Sequence, residues 1–227
     1  MTKLRNMLIA AIAIASLSTS AMAGAGFGVT GSIAAIGASG TEADKNGAAD
    51  TSVRKAEASN NAAVASVFAE YTFDNGFTLG VDWMPGSADV NSSSITRADT
   101  TPTEAPANTK DNITRKAAAE VDNHLTYYAE VPLGGSGLYG KLGMVTLDVN
   151  SNETSATAGG YGNDSTDGVL YGLGYKSELG SNSFYKVEGT HTEFDTITLN
   201  GKSADKGNKI TADVDVTKIT FALGYAF

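Results

Sequence analysis

The last nine residues, Ile219-Thr-Phe-Ala-Leu-Gly-Tyr-Ala-Phe227, place a large apolar side chain at every second position: Ile219, Phe221, Leu223, Tyr225 and Phe227. Between them stand Thr220, Ala222, Gly224 and Ala226, all small or polar. A strand with this alternation has one greasy face and one small or wet face. On the edge of a soluble sheet such a row of rings would invite pairing with other chains. Facing lipid, in a barrel closed so that no backbone group is left unpaired, it is stable. The final strand therefore predicts an all-β, antiparallel transmembrane barrel.

The other end of the chain agrees. Lys3 and Arg5, an apolar stretch from Leu8 to Leu17, and a small-residue segment ending in Ala21-Met22-Ala23 read as a signal peptide cleaved after Ala23. An apolar run of about ten residues is too short to span a bilayer, which takes about 20. Two segments follow: residues 1–23 as the export signal and residues 24–227 as the barrel. With no cysteine in the chain, a lipid anchor and a disulfide framework are both excluded. Removing Lys3 and Arg5 leaves 14 basic against 25 acidic side chains, a net charge of −11, so binding to nucleic acid through phosphates is not expected. Only 8% aromatic residues beside 26 glycines would make a thin soluble core, yet they suit a barrel whose apolar side chains point outward.

Alternating runs of about ten residues, the length of a tilted membrane strand, fall near 27–37, 61–73, 77–88, 118–132, 138–149, 168–178, 184–196 and 211–227. Three connections are tight: Asp74-Asn75-Gly76, Leu133 to Gly137, and Leu179 to Ser183. Four are long and polar: 38–60, 89–117, 150–167 and 197–210. Short turns at one end and long loops at the other describe eight strands with both termini on the turn side.

Turn geometry fixes register. A two-residue Asn-Gly turn would pair Phe73 with Thr78 and split the faces. A three-residue loop with Gly76 in the left-handed conformation pairs Phe73 with Phe77 and keeps both rings outside. In the next hairpin, pairing Leu133 with Leu138 sets Glu130 opposite Lys141. By the same parity Val121, Leu125, Tyr127, Ala129, Leu142, Met144, Val169, Tyr171, Leu173, Tyr175, Tyr185 and Val187 face lipid. Glu70, Asp82, Glu120, Asp122, Glu130, Lys141, Lys176, Lys186, Glu188 and Lys218 face inward. Phe73, Phe77, Tyr175, Tyr185, Tyr225 and Phe227 would form an aromatic girdle at the turn end.

Eight strands enclose only enough space for side chains to fill, so inward acids and bases must find partners. Glu130 with Lys141, and Lys176 and Lys186 with Glu188, form the expected interior polar network, read more readily as a self-satisfying plug than as a solute path. Enzyme chemistry is not expected. His124, inward, stands in His124-Leu-Thr126, and His191, outward, in His191-Thr-Glu193, and neither has a serine nucleophile beside it. The segment Gly160 to Gly168 is rich in Asp and Asn, but Gly174 stands where a closing bidentate glutamate would be needed for calcium. No metal and no cofactor are expected. Pro102 and Pro106, among Ser, Thr, Asn and Ala in 89–117, mark a segment that does not build a core.

The signal segment and the terminal strand together give the chain a resemblance to the small bacterial outer-membrane barrels of the outer-membrane protein A transmembrane-domain and outer-membrane protein X type. The resemblance implies export by the general secretory route to the outer membrane of a Gram-negative bacterium, and recognition of Phe221, Leu223, Tyr225 and Phe227 by the barrel-assembly machinery. It also implies a monomer in outer-membrane lipid and lipopolysaccharide, with an extracellular partner at the loops. Two roles are compatible with it: a non-enzymatic structural or surface-interaction barrel, or a small porin-like channel for small or hydrophobic solutes.

Overall fold

The computed structural model describes residues 23–46, 50–91, 99–100, 110–111, 119–151, 159–203 and 208–227. The expected signal segment as far as Met22, including Ala21, lies outside the described residues, as do the middles of the segments 89–117, 150–167 and 197–210. All regular structure among the described residues is strand. Eight strands form the wall: β1 (Gly24–Asn46), β2 (Asp50–Thr72), β3 (Thr78–Trp83), β4 (Ala119–Pro132), β5 (Leu138–Ser151), β6 (Asp164–Glu178), β7 (Ser183–Phe194) and β8 (Lys209–Ala226). Each pairs antiparallel with the next, and β1 pairs with β8 from Gly26↔Ala226 to Ala43↔Lys209, which closes the barrel. Closure leaves no unpaired edge to face lipid.

The turns take the expected geometry. Phe73 N–H donates to Phe77 O at 2.8 Å, Gly76 N–H to Phe73 O at 2.8 Å, and Gly76 has φ 79°, as the three-residue loop requires. Leu133 N–H donates to Leu138 O at 2.8 Å, and Glu130 stands opposite Lys141. At the turn end the rings touch in groups. Tyr71, Phe73 and Phe77 form one, Tyr175, Tyr185 and Phe221 another, and Phe27, Tyr225 and Phe227 a third, with centroids 5.0–6.4 Å apart.

Strand lengths depart from expectation. The segment 38–60 is for the most part wall: β1 and β2 stay paired from Gly24↔Thr72 to Asn46↔Asp50. A strand of 23 residues at about 3.4 Å per residue runs about 75 Å, so even steeply tilted it outreaches a hydrocarbon core of about 30 Å. The polarity that suggested a loop marks where the wall leaves lipid. Outward positions are Phe27, Val29 and Ile33 low on β1, whereas Lys55, Glu57, Ser59 and Asn61 are exposed high on β2. The expected strand 77–88 is shorter and broken: β3 ends at Trp83, and Ala88–Asn91 resumes the pairing with β4. Ile197–Ser203 carries on from β7, pairing with β8 and with Gly159–Tyr161, so 197–210 is not all loop.

A second correction concerns β4. Its pairing with β5 slips between Asp122 and Leu125, where Asn123 and His124 oppose a single residue and Asn123 has φ 51°. Such a β-bulge reverses inside and outside for everything beyond it. Val121, expected on the lipid face, instead packs inside against Leu147, Val149 and Ile197. Glu120 and Asp122, expected inside, fall on the outer side; beside Asp122, the Asn123 amide donates to Asp148 Oδ2 at 2.7 Å.

Candidate functional site: the barrel interior

Beyond the turn-end aromatics, the lumen holds a closed charge network. Lys141 Nζ donates to both Glu188 oxygens at 2.8 Å and lies 3.6 Å from Glu130. Lys186 Nζ donates to both oxygens of Glu130 at 2.8 and 2.9 Å and also to Glu70. Lys176 Nζ reaches Glu70 at 3.0 Å. The Lys186, Glu70 and Glu130 side chains are only 2%, 1% and 3% exposed, so this section of the barrel is filled.

The residues expected in the network, Glu130, Lys141, Lys176, Lys186 and Glu188, are therefore brought together; Glu130 keeps Lys141 at 3.6 Å, but the pairing of Lys176 and Lys186 with Glu188 is replaced. Glu188 takes Lys141, while Lys176 and Lys186 turn to Glu70, which the sequence reading placed inside without giving it a partner. The reason is register: Lys176 and Lys186 face each other directly across one hairpin. Like charges so placed repel, and a carboxylate from another strand has to lie between them. Glu70 on β2 does so.

Two tyrosines complete the network. Tyr128 donates to Glu70 Oε2 at 2.9 Å and Tyr139 to Glu188 Oε1 at 2.6 Å. The phenol end of each ring lies over a glycine of the neighbouring strand. A Cβ at Gly80 would stand 2.3 Å from the Tyr128 ring, and one at Gly174 would stand 2.3 Å from the Tyr139 ring. Gly80 and Gly174 thus leave the room in which the rings lie along the wall and reach the carboxylates. Overpacking of this kind costs about 1–3 kcal/mol. Gly80→Ala is accordingly expected to destabilise the barrel by that amount, and Gly140→Ala, where an added Cβ meets nothing within 4 Å, far less. Urea titration of the barrel in lipid vesicles checks the difference. Lys141 also sits over the Tyr128 ring at 4.0 Å and Lys176 over Phe184 at 4.1 Å, which partly compensates the ammonium groups for lost water.

Toward the loop end the lumen becomes apolar. A cavity of about 290 Å3 is walled by Ala34, Val64, Leu147, Val149, Ala212, Val216 and similar residues, with Asp82, His124 and Lys218 among its few polar members. The bulge at Asn123 and His124 is what turns Val121 into this cavity, and the alternation of the sequence carries no sign of it. His191 lies outside, its Nδ1 2.9 Å from Thr217 Oγ1 and its ring 5.4 Å from Tyr171. Asn163 and Asp164, of the segment that resembled a calcium loop, spend their side-chain oxygens on the Ser151, Ser165 and Thr198 backbone N–H groups. Among the described residues no three His, Asp or Glu side chains gather to hold a metal ion.

A closed, outward-apolar barrel of eight strands with a neutralised polar interior defines an integral β-barrel of the bacterial outer membrane. The chain belongs to the outer membrane protein beta-barrel domain family, whose model matches residues 7–227. Among solved structures it is similar to the outer membrane protein OprG of Pseudomonas aeruginosa, at 17% identity and TM-score 0.47 over 90% of this chain and 97% of that one. It is also similar to the attachment invasion locus protein Ail of Yersinia pestis, at 13%, 0.36, 88% and 99%, and to the outer membrane protease OmpT of Escherichia coli, at 9%, 0.44, 88% and 97%. No curated protein sequence matches the chain.

Proposed function

We propose that this outer-membrane barrel is non-enzymatic, does not conduct steadily, and serves a structural or surface-interaction role through the part of its wall and loops that stands outside the membrane. The observation that supports the reading is the packed network of three glutamates and three lysines, because an aqueous path would have to run through groups that already satisfy one another. In planar bilayers the purified barrel is expected to give openings that are small, rare and altered by substitution of Lys176, Lys186 or Glu188. Sustained, large conductance that survives shortening of the segments 89–117 and 150–167 would overturn it.

The apolar loop-end lumen favours the second reading, a small channel for small or hydrophobic solutes, over an ordinary water-filled porin. A solute entering there would still meet the charge network before the periplasm. Against an enzyme stands the setting of His191: its Nε2 is 3.9 Å from Glu193, beyond hydrogen-bond reach, that carboxylate oxygen accepts from the Tyr171 hydroxyl, and the hydroxyl beside the ring is the secondary alcohol of Thr217. In this reading the barrel works as a monomer in lipid and lipopolysaccharide. Its segment Phe221 to Phe227 is the part that the assembly machinery reads, and an extracellular partner meets the outer loops.

A further inference from the structure

Inward positions of a membrane barrel that meet only water are ordinarily polar, since the apolar side chains belong on the lipid face. Here the loop-end half of the lumen is the reverse. Its wall is aliphatic on nearly every strand, and its polar atoms are confined to Asp82, His124 and Lys218 with the flanking Ser66, Thr166 and Thr192. Apolar side chains facing a cavity lose contacts on one side, and apolar cavities of this kind take up apolar molecules rather than water.

The floor carries unused hydrogen-bonding capacity. Asp82 Oδ2 accepts from Ser66 Oγ at 2.8 Å, but Asp82 Oδ1 is buried without a partner, and so is His124 Nδ1. Among the described residues Lys218 makes no hydrogen bond and no ion pair. Two more buried oxygens lack partners, those of Thr126 and Thr190. These two line a polar void of about 10 Å3 together with Lys141 and Glu188, and Asp82 and Lys218 border both this void and the large cavity; its volume is close to the space of a single water. A water there accounts for the threonines and also borders Asp82 and Lys218, which face the large cavity from its other side. It does not account for His124, which lines the large cavity and not the small one.

Charge decides what kind of head group fits. Glu70, Glu130 and Glu188 balance Lys141, Lys176 and Lys186 in the network, and Asp82 balances Lys218 on the cavity floor. A carboxylate or an ammonium head would leave one charge in excess where little water reaches it. A hydroxyl adds no charge, and it is able both to accept from an ammonium such as Lys218 and to donate to a carboxylate such as Asp82. We propose that this cavity binds a small neutral apolar molecule bearing one terminal hydroxyl, its carbon chain along the aliphatic wall and its hydroxyl at Lys218 and Asp82. The volume of about 290 Å3 is roughly twice that of a cavity that takes benzene, which suits on the order of eight to twelve heavy atoms. The site rests on the lumen being closed below it and is independent of any surface role.

The test uses the full barrel in lipid nanodiscs, with methyl NMR of Met84 and Val64, titrated separately with octan-1-ol, octane, octanoate and octylamine at matched membrane concentrations. Octan-1-ol is expected to shift these methyls saturably, with an affinity at least fivefold above each of the other three. Ala62→Trp, which fills the cavity, should abolish the shifts. The double variant Asp82→Asn with Lys218→Met, which removes one charge of each sign, should reduce the preference for octan-1-ol over octane to less than twofold. If Ala62→Trp gives no heat-modifiable folded band, Leu199→Phe replaces it. Shifts confined to the outward Val29 and Val67, a preference for octanoate or octylamine, or a preference unchanged in the double variant would each overturn the proposal. Steady conductance in planar bilayers would count against the closed lumen, a separate result.

Discussion

Replacing Lys186 with methionine is expected to lower the unfolding free energy of the barrel by about 3–5 kcal/mol, the cost of leaving buried carboxylates uncompensated. Lys186 is 2% exposed and donates to Glu130 and Glu70 together, so its loss leaves three acids facing two bases. Lys176, 21% exposed and bound to Glu70 alone, can turn part of its charge to solvent, and Lys176→Met should cost less than half as much. Pairing Lys186→Met with Glu130→Gln restores the charge balance and should recover most of the loss. Urea denaturation in lipid vesicles reads all three. Equal losses for the two lysines, or no recovery in the double variant, would mean that the network does not work as a unit. The exchange Glu130→Lys with Lys141→Glu separates the structure from the simpler hairpin picture. If those two residues paired only with each other, the swap would be nearly neutral. Because Glu130 also holds Lys186 and Lys141 holds Glu188, the swap sets like charges against each other twice and should be worse than either single change.

That contrast shows where sequence reasoning stops. Within a hairpin, turn length and face parity determine register, so Phe73 opposite Phe77 and Glu130 opposite Lys141 follow from Gly76 and from the spacing of Leu133 and Leu138. Partners across the lumen depend on how strands joined by long loops are staggered, and no local signal carries that. Glu70 meets Lys176 and Lys186 across more than a hundred residues. One clue was available: two lysines facing inward on one hairpin require an acid from elsewhere.

The bulge at Asn123 was invisible for a related reason. An inserted residue leaves alternation intact on either side and changes only the phase between them, and Asp122-Asn123-His124 is polar enough to suit either phase. Its effect on the site is large, because it turns Val121 into the lumen, where it joins Leu147, Val149 and Ile197. The apolar cavity thus depends on a phase shift. The extension of β1 and β2 was hidden by composition instead: once the wall leaves lipid, nothing requires its outer face to be apolar, and a polar strand reads as a loop.

The outward face supplies the other large expected effect, because it tests where the membrane lies. Val29 is 57% exposed and stands in register with Leu223 on one side and Val67 on the other, both outward and apolar. Along β8 the outward row is apolar from Phe227 to Ile219 and turns polar at Thr217 and Asp215. Val29, opposite Leu223, is therefore near the middle of the band. Val29→Arg should cost about 2–4 kcal/mol in a bilayer, as a guanidinium does at mid-depth on the lipid face of a barrel. Ser39 is exposed on the same face of the same strand, ten residues further from the turn end, with Glu57 and Asp213 as its neighbours in register. If the wall has left the hydrocarbon there, Ser39→Arg meets water and two carboxylates and should cost no more than about 1 kcal/mol. Folding titrations of both variants in lipid vesicles compare them within one strand, so backbone pairing is held constant and only depth differs. A loss at Ser39 as large as that at Val29 would place the long β1–β2 wall inside the bilayer and remove the surface on which the proposed role depends.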